Sequence, residues 1–227
     1  MTNLDAEGSG NPVDGLKIFT DAISGTSIVV NLFLIVLFAN ENIGFYRYYL
    51  MLFLANDSLY SFMMLVVQPE PFIYKGAFVM TGTGMWEGYK VTVAYMICHY
   101  QCMAIITLQF LFRYATLCNI RFFKFLNSPW AFFYMAAFIV CTDVLHVFSL
   151  MTYYPDPVDV AYIEPFVNEV YSGNADATDV VVALYWYDGF SKFRLWHLIS
   201  TIVTVLYHLF VFAIMGFCVE RIARNLG

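Results

Sequence analysis

Five continuous apolar blocks, each about the length of a membrane-crossing helix, constrain this chain more than any other feature. They fit residues 22–39, 49–67, 91–112, 130–153 and 195–218. A hydrocarbon core about 30 Å thick needs about 20 apolar residues of helix to cross it. Closed β-barrels also satisfy their backbone in lipid, but they need alternating strands of about ten residues, and these runs do not alternate. The expected fold is an all-α transmembrane helical bundle, a single membrane domain over residues 1–227. Composition points the same way, because only 12% of residues are charged and 61% are hydrophobic, against about 25% charged in soluble chains.

Several function classes drop out at this level. The net charge of −6 argues against nucleic acid, whose binding rests on basic patches that neutralise phosphates. Cys98, Cys102, Cys118, Cys141 and Cys218 all lie in or beside apolar blocks, so no disulfide framework is expected. The first residues are polar and acidic, which leaves the first block to act as an uncleaved anchor. The four histidines lack metal-site spacing. Ser27 has no base partner in the sequence, so a serine nucleophile is a poor reading. No enzyme and no cofactor is expected.

Charge sets the expected topology. Arg47, Arg113, Arg121, Lys124, Arg221 and Arg224 fall on one side, in short links beside span ends. Lys17, Lys75, Lys90, Lys192 and Arg194 fall on the other. The positive-inside rule weighs short links most, which puts the N-terminus outside and the C-terminus in the cytosol. Residues 1–21 then form an extracellular tail, 154–194 a long extracellular loop and 219–227 a cytosolic end. That loop is acidic, with Asp156, Asp159, Glu164, Glu169, Asp176, Asp179 and Asp188. Its β-prone runs at 158–163 and 180–187 read either as a short strand pair over the bundle mouth or as irregular loop. Residues 72–90 read as a mixed, glycine-rich loop, with Trp86 as an interface anchor.

Polar residues inside the spans carry the most information. An aspartate at mid-span costs roughly 2.5–3.5 kcal/mol on insertion scales, so it faces the bundle and finds a partner. Asp57 and Asn31 lie at comparable depth and form either a hydrogen-bonded core or an ion or proton site. Asp143 and His146 are three apart on one helix face, either a structural pair or an acid–imidazole couple. His197, Thr201, Thr204 and His208 form one stripe at helical spacing, and Tyr95, His99 and Cys102 form a second. Together Tyr95, His99, Cys102, His197, Thr201 and Thr204 outline a small-ligand pocket in the outer half of the bundle, or ordinary helix packing. At the opposite end, Phe112-Arg113-Tyr114 closes the third span and leads into a basic link with Arg121 and Lys124.

Taken together, the motifs resemble those of the nematode seven-transmembrane chemoreceptors of the Str group, the serpentine G-protein-coupled receptors. The residues carrying the resemblance are an Asn31-containing first span, Tyr46-Arg47-Tyr48-Tyr49-Leu50-Met51, Val66-Val67-Gln68-Pro69, Phe112-Arg113-Tyr114, Ala161-Tyr162-Ile163 and Trp186-Tyr187-Asp188-Gly189. The resemblance implies a rhodopsin-like bundle that detects an odorant-like small molecule and signals to a heterotrimeric G protein. It places Arg113 at the switch position, with Tyr114, Arg121 and Lys124 on the G-protein face. It also implies a multi-pass protein of the plasma membrane, in the sensory cilium of a chemosensory neuron, in contact with lipid and with a receptor oligomer as a further partner. Such receptors have seven spans, so the five here are expected to be a form truncated after the fifth, with retention in the ER as one outcome. The alternative reading is a small polytopic transporter or channel subunit using Asp57 and Asp143.

Overall fold

The computed structural model describes residues 12–40, 46–118, 120–126, 128–171, 179–187 and 192–226. In chain order the elements are α1 (Pro12–Ala39), α2 (Tyr46–Val67), β1 (Pro69–Tyr74), β2 (Ala77–Gly82), α3 (Tyr89–Cys118) and α4 (Ile120–Leu126). There follow α5 (Pro129–Met151), α6 (Pro157–Tyr171), β3 (Val181–Ala183), β4 (Trp186–Tyr187), β5 (Lys192–Phe193) and α7 (Leu195–Leu226). Among the described residues five helices, α1, α2, α3, α5 and α7, hold stretches long and apolar enough to cross a membrane.

The helices overrun the apolar blocks. α1 begins at Pro12, inside the expected tail, and α3 continues past residue 112 to Cys118. α7 runs on through most of the expected cytosolic end. Counting apolar residues measures only the part of a helix suited to lipid, and polar helix formers prolong it on either side. α5 starts where the sequence places it, because Pro129 occupies the first turn and Ser128 caps it by accepting from the Trp130 N–H at 3.1 Å. It closes at Met151, two residues short of the expected limit, with Thr152 as its C-cap.

Contacts fix the helix directions. Asp21 meets Gln68 and Asn31 meets Asp57, so α1 and α2 are antiparallel. Asn56 meets Cys102 and Tyr49 meets Phe112, so α2 and α3 are antiparallel. Gln101 meets Asp143 and Tyr89 meets Leu150, so α3 and α5 are antiparallel too. α3 and α7 run parallel, with Tyr100 against Tyr207 and Tyr114 against Phe217. One end of the bundle therefore carries α4. The other carries every strand and α6.

The strands form a small lid at that second end. The region from 72 to 90, expected as a mixed loop, is largely a hairpin in which Tyr74 pairs with Ala77. Its two-residue turn, Lys75-Gly76, has φ of 45° and 86°. Two successive positive φ values match the twist of flanking strands, and glycine takes such a value at no steric cost. β3 joins the hairpin antiparallel, giving the order β1-β2-β3. Strand alternation then serves two cores at once. Ala77, Val79 and Val182 pack against Ile163 and Val167 of α6, whereas Phe78, Met80, Val181 and Ala183 pack toward Tyr100, Leu150 and Tyr207 of the bundle.

The run 158–163, read from the sequence either as strand or as irregular loop, is neither: it is helical, and its start explains why. The Asp156 carboxylate accepts from the N–H groups of Val158 (2.8 Å) and Asp159 (2.9 Å), with Pro157 at the first helical position. Asp159 reaches back to accept from the Asp156 N–H at 3.1 Å. This reciprocal cap nucleates α6 and overrides the β preference of valine and isoleucine. Of the run 180–187, read either as strand or as irregular loop, Val181–Ala183 forms a strand, and its partner is β2. Trp186–Tyr187 pairs separately with Lys192–Phe193. Asp176, Asp188 and Gly189 lie outside the described residues.

The lid is clamped to the bundle through 83–86. Thr83, Gly84 and Trp86 donate their backbone N–H groups to the carbonyls of Gln68, Val67 and Val66. These carbonyls belong to the last turn of α2 and the residue after it, which have no partners within the helix.

Candidate functional site

The polar residues that the sequence grouped as one pocket divide between two neighbours. Tyr95 and Cys102 face α2, where the Tyr95 hydroxyl is 3.1 Å from that of Tyr60 and Cys102 accepts from Asn56. His197, Thr201 and Thr204 face α5 and the lid. A ring nitrogen of His197 lies 2.9 Å from the Leu184 carbonyl. Thr201 sits 2.8 Å from the hydroxyls of both Tyr153 and Tyr185, and Thr204 is 3.5 Å from the Ser149 hydroxyl. His99 alone bridges the two sets, stacked near His208 with ring centroids 6.3 Å apart. The stripe does face helices. Its polar atoms, however, are largely engaged by the chain itself rather than aimed at a shared void.

The acid–imidazole couple does not form between Asp143 and His146. Asp143 accepts instead from the Gln101 side chain at 2.7 Å. His146 is fully buried, bonds the Thr142 carbonyl one turn back at 2.7 Å, and stacks on Tyr100 at 3.8 Å. Sequence spacing put the two on one face. It could not show that α3 offers each of them a better partner.

Asn31 and Asp57 do meet. Asn31 donates to the carboxylate at 2.6 Å and Ser27 donates to the same oxygen at 3.2 Å, with Ser61 bonded to Ser27 at 3.1 Å. A hydrogen bond to a charged group contributes about 1.5–3 kcal/mol. Asn31→Leu is therefore expected to lower the stability of the folded chain by about that amount, read from thermal unfolding in detergent. An unchanged midpoint would mean that Ser27 alone satisfies Asp57.

The lid is locked to α7 by groups that the sequence marks only by their charge. Arg194 bonds both carboxylate oxygens of Asp159 at 2.7 Å and also pairs with Asp156. Its backbone N–H donates to the Tyr185 carbonyl at 2.9 Å. Burial pushes the Asp159 carboxyl up from its ordinary value, with the Arg194 guanidinium pulling the other way. Burial acts on Asp156 as well, but there the Asp159 N–H and Arg194 prevail and hold it below the ordinary value. Near this end a cavity of about 310 Å³ opens between α1, α2 and β1, lined in part by Lys17, Asp21, Met64, Gln68, Glu70 and Phe72.

At the opposite end, Arg113 lies inside α3 rather than at its terminus, and it is exposed. Tyr114 packs on Phe217 with ring centroids 5.6 Å apart, tying α3 to α7. Arg121 and Lys124 stand exposed on α4, a short helix where the sequence reads as a link. α4 is held by Leu126, whose carbonyl accepts from the Tyr49 hydroxyl at 3.2 Å.

A family model described as serpentine type 7TM GPCR chemoreceptor Str matches residues 16–226. No curated protein and no solved structure matches the chain.

Proposed function

We propose a ligand-to-G-protein mechanism from one premise: the chain belongs to the serpentine chemoreceptor family Str, a family of multi-pass membrane receptors. In this reading a small molecule is detected at the lid end and the signal passes to a heterotrimeric G protein at the α4 end. The lid end lies outside and the α4 end in the cytosol, as the exposed Arg113, Arg121 and Lys124 favour under the positive-inside rule. The observation that carries the reading is this division of labour between ends. One end has a mixed polar and apolar cavity of about 310 Å³ beside the lid, of the kind that holds a small ligand. The other presents exposed cations to whatever docks there.

The polar seam of His197, Thr201, Tyr153 and Tyr185 links the lid to α7, which runs parallel to α3 down to Tyr114. A ligand that favours one packing of the lid would shift that helix pair, and the α4 end with it. Arg113→Ala is expected to weaken coupling by about 5- to 150-fold, the span of typical coupling energies, with membrane insertion unchanged. The measurement is G-protein activation in cells expressing the chain, against a panel of volatile small molecules, with surface labelling as the control. Loss of surface expression in step with signalling would make Arg113 structural. An ion flux without G-protein dependence, abolished by Asp57→Asn, would replace the receptor reading with a transport one.

A further inference from the structure

The cavity of about 310 Å³ beside the lid has two charged residues of α1 in its wall, Lys17 and Asp21. They stand four residues apart, one helical turn. Opposite charges at this spacing can pair across the helix surface. Here they do not. Asp21 accepts instead from the Gln68 amide, at 3.2 and 3.3 Å, and among the described residues Lys17 pairs with no carboxylate.

One neutral amide is a thin shell for a half-buried carboxylate, which has about four acceptor sites. Glu70, the third charged group on the wall, is engaged by the lid, where the Thr83 hydroxyl donates to it at 3.1 Å. Lys17 and Asp21 therefore offer a ligand one charge of each sign, a helical turn apart. A molecule that carries both signs fits between them. A plain amine would meet Lys17 as a like charge and a plain acid would meet Asp21, and such repulsion is how a site rejects near relatives of its ligand.

The rest of the wall sets the size and character of the ligand's body. Met64, Pro69, Pro71 and Phe72 supply apolar surface, and Phe72 stands edge-on to Phe166 of α6. A volume of about 310 Å³ is at the lower end of ligand-holding clefts, about 300–1,000 Å³, so the body is short. Lys17 begins the apolar stretch of α1, and Gln68 follows the last turn of α2. The charges thus sit at the end of both spans, within reach of a molecule dissolved in water.

We propose that this cavity takes a free α-amino acid with a short apolar side chain, its ammonium on Asp21, its carboxylate on Lys17 and its side chain against Met64 and Phe72. The assignment rests on the reading that the lid-end cavity is where the receptor takes its ligand, and it names the class. Such a zwitterion has almost no vapour, so a panel of volatile compounds does not contain it.

The test uses the full chain in a non-ionic detergent and tritiated L-leucine as probe. Saturable binding is expected. Isoamylamine and isocaproic acid, which are leucine without its carboxylate and without its amino group, should compete poorly. Asp21→Asn should weaken leucine binding about ten- to a hundredfold, the worth of a hydrogen bond to a charged group. Lys17→Ala should weaken it only about two- to fivefold, since Lys17 is exposed and screened. Lys17→Glu should invert the order, so that isoamylamine outcompetes leucine, a gain that no folding defect produces. Absence of saturable binding, an amine or acid that competes as well as leucine on the parent chain, or an unchanged order in Lys17→Glu would each overturn the assignment. Displacement of leucine by phosphatidylethanolamine would do the same, because the cavity would then hold a lipid headgroup. G-protein activation in cells separates this class from the reading beneath it, using Thr20→Trp to fill the cavity. Signalling by another compound that Thr20→Trp abolishes, without leucine binding, removes the amino acid and keeps the lid-end site. Signalling that survives Thr20→Trp removes both.

Discussion

Replacing Arg194 by methionine is expected to release the lid from the bundle at a cost of about 3–5 kcal/mol. The size follows from what is left behind. Asp159 is wholly buried, and both of its oxygens take bonds from this one guanidinium. Methionine fills similar space but leaves the carboxylate in a low-dielectric site where, among the described residues, the Asp156 N–H is its remaining partner. Breaking a buried pair costs more than the pair itself contributes, because the orphaned charge bears the full desolvation penalty. Thermal unfolding in detergent should show the loss, and limited proteolysis should show faster cleavage between residues 154 and 194. Asp159→Leu added to Arg194→Met should recover much of the stability, since both charges are then gone. If the double variant is no better than the single one, Arg194 acts through contacts other than Asp159.

The second large effect is expected at Gly84, and it depends on sterics rather than charge. A methyl group there would stand 2.1 Å from the Val66 carbonyl oxygen and 2.8 Å from its carbon. Both are backbone atoms at the end of α2, so no side chain can swing aside. Gly84→Ala must push the 83–86 segment off the helix end and break the bonds that satisfy its carbonyls. A loss at or above the top of the usual range for overpacking, about 1–3 kcal/mol, is expected. Gly216→Ala makes the contrast, because nothing lies within 4 Å of a methyl group there. The same substitution in the middle of α7 should be neutral or raise stability, given the low helix propensity of glycine. Equal thermal midpoints for the two variants would contradict the steric account of Gly84.

What was legible in the sequence followed physical scale. The five spans could be read because burial in lipid demands a long, unbroken signal, and α5 could be placed nearly to the residue because Ser128 and Pro129 mark its start. The lid was harder to see. β1 opens Pro69-Glu70-Pro71, a poor strand by composition, and it is held by pairing with β2 at long range. Residues 158–163 misled because valine and isoleucine favour strands, although Asp156-Pro157-Val158-Asp159 already carried a helix start. In the candidate site, periodicity put His197, Thr201 and Thr204 on one helix face. It could not say what they would meet, since the Leu184 carbonyl and the Tyr153 and Tyr185 hydroxyls arrive from elsewhere in the chain. Asp143 and His146 fail as a pair for the same reason. Neighbours on one helix compete with partners on another, and only the fold decides between them.

The two-faced sheet has a consequence for how this part of the chain can vary in length. In β2 the odd-numbered residues Ala77 and Val79 belong to α6, and the even-numbered Phe78 and Met80 belong to the bundle. In β3 the parity is reversed. Inserting or deleting one residue within the strand would exchange the two sets, sending valine to the helices and the larger Phe78 and Met80 under α6. Changes by two would preserve the faces but shift every pairing with β3. Length in the lid is therefore tolerated at the turn and in the segments leading to α6, and scarcely at all between Ala77 and Gly82.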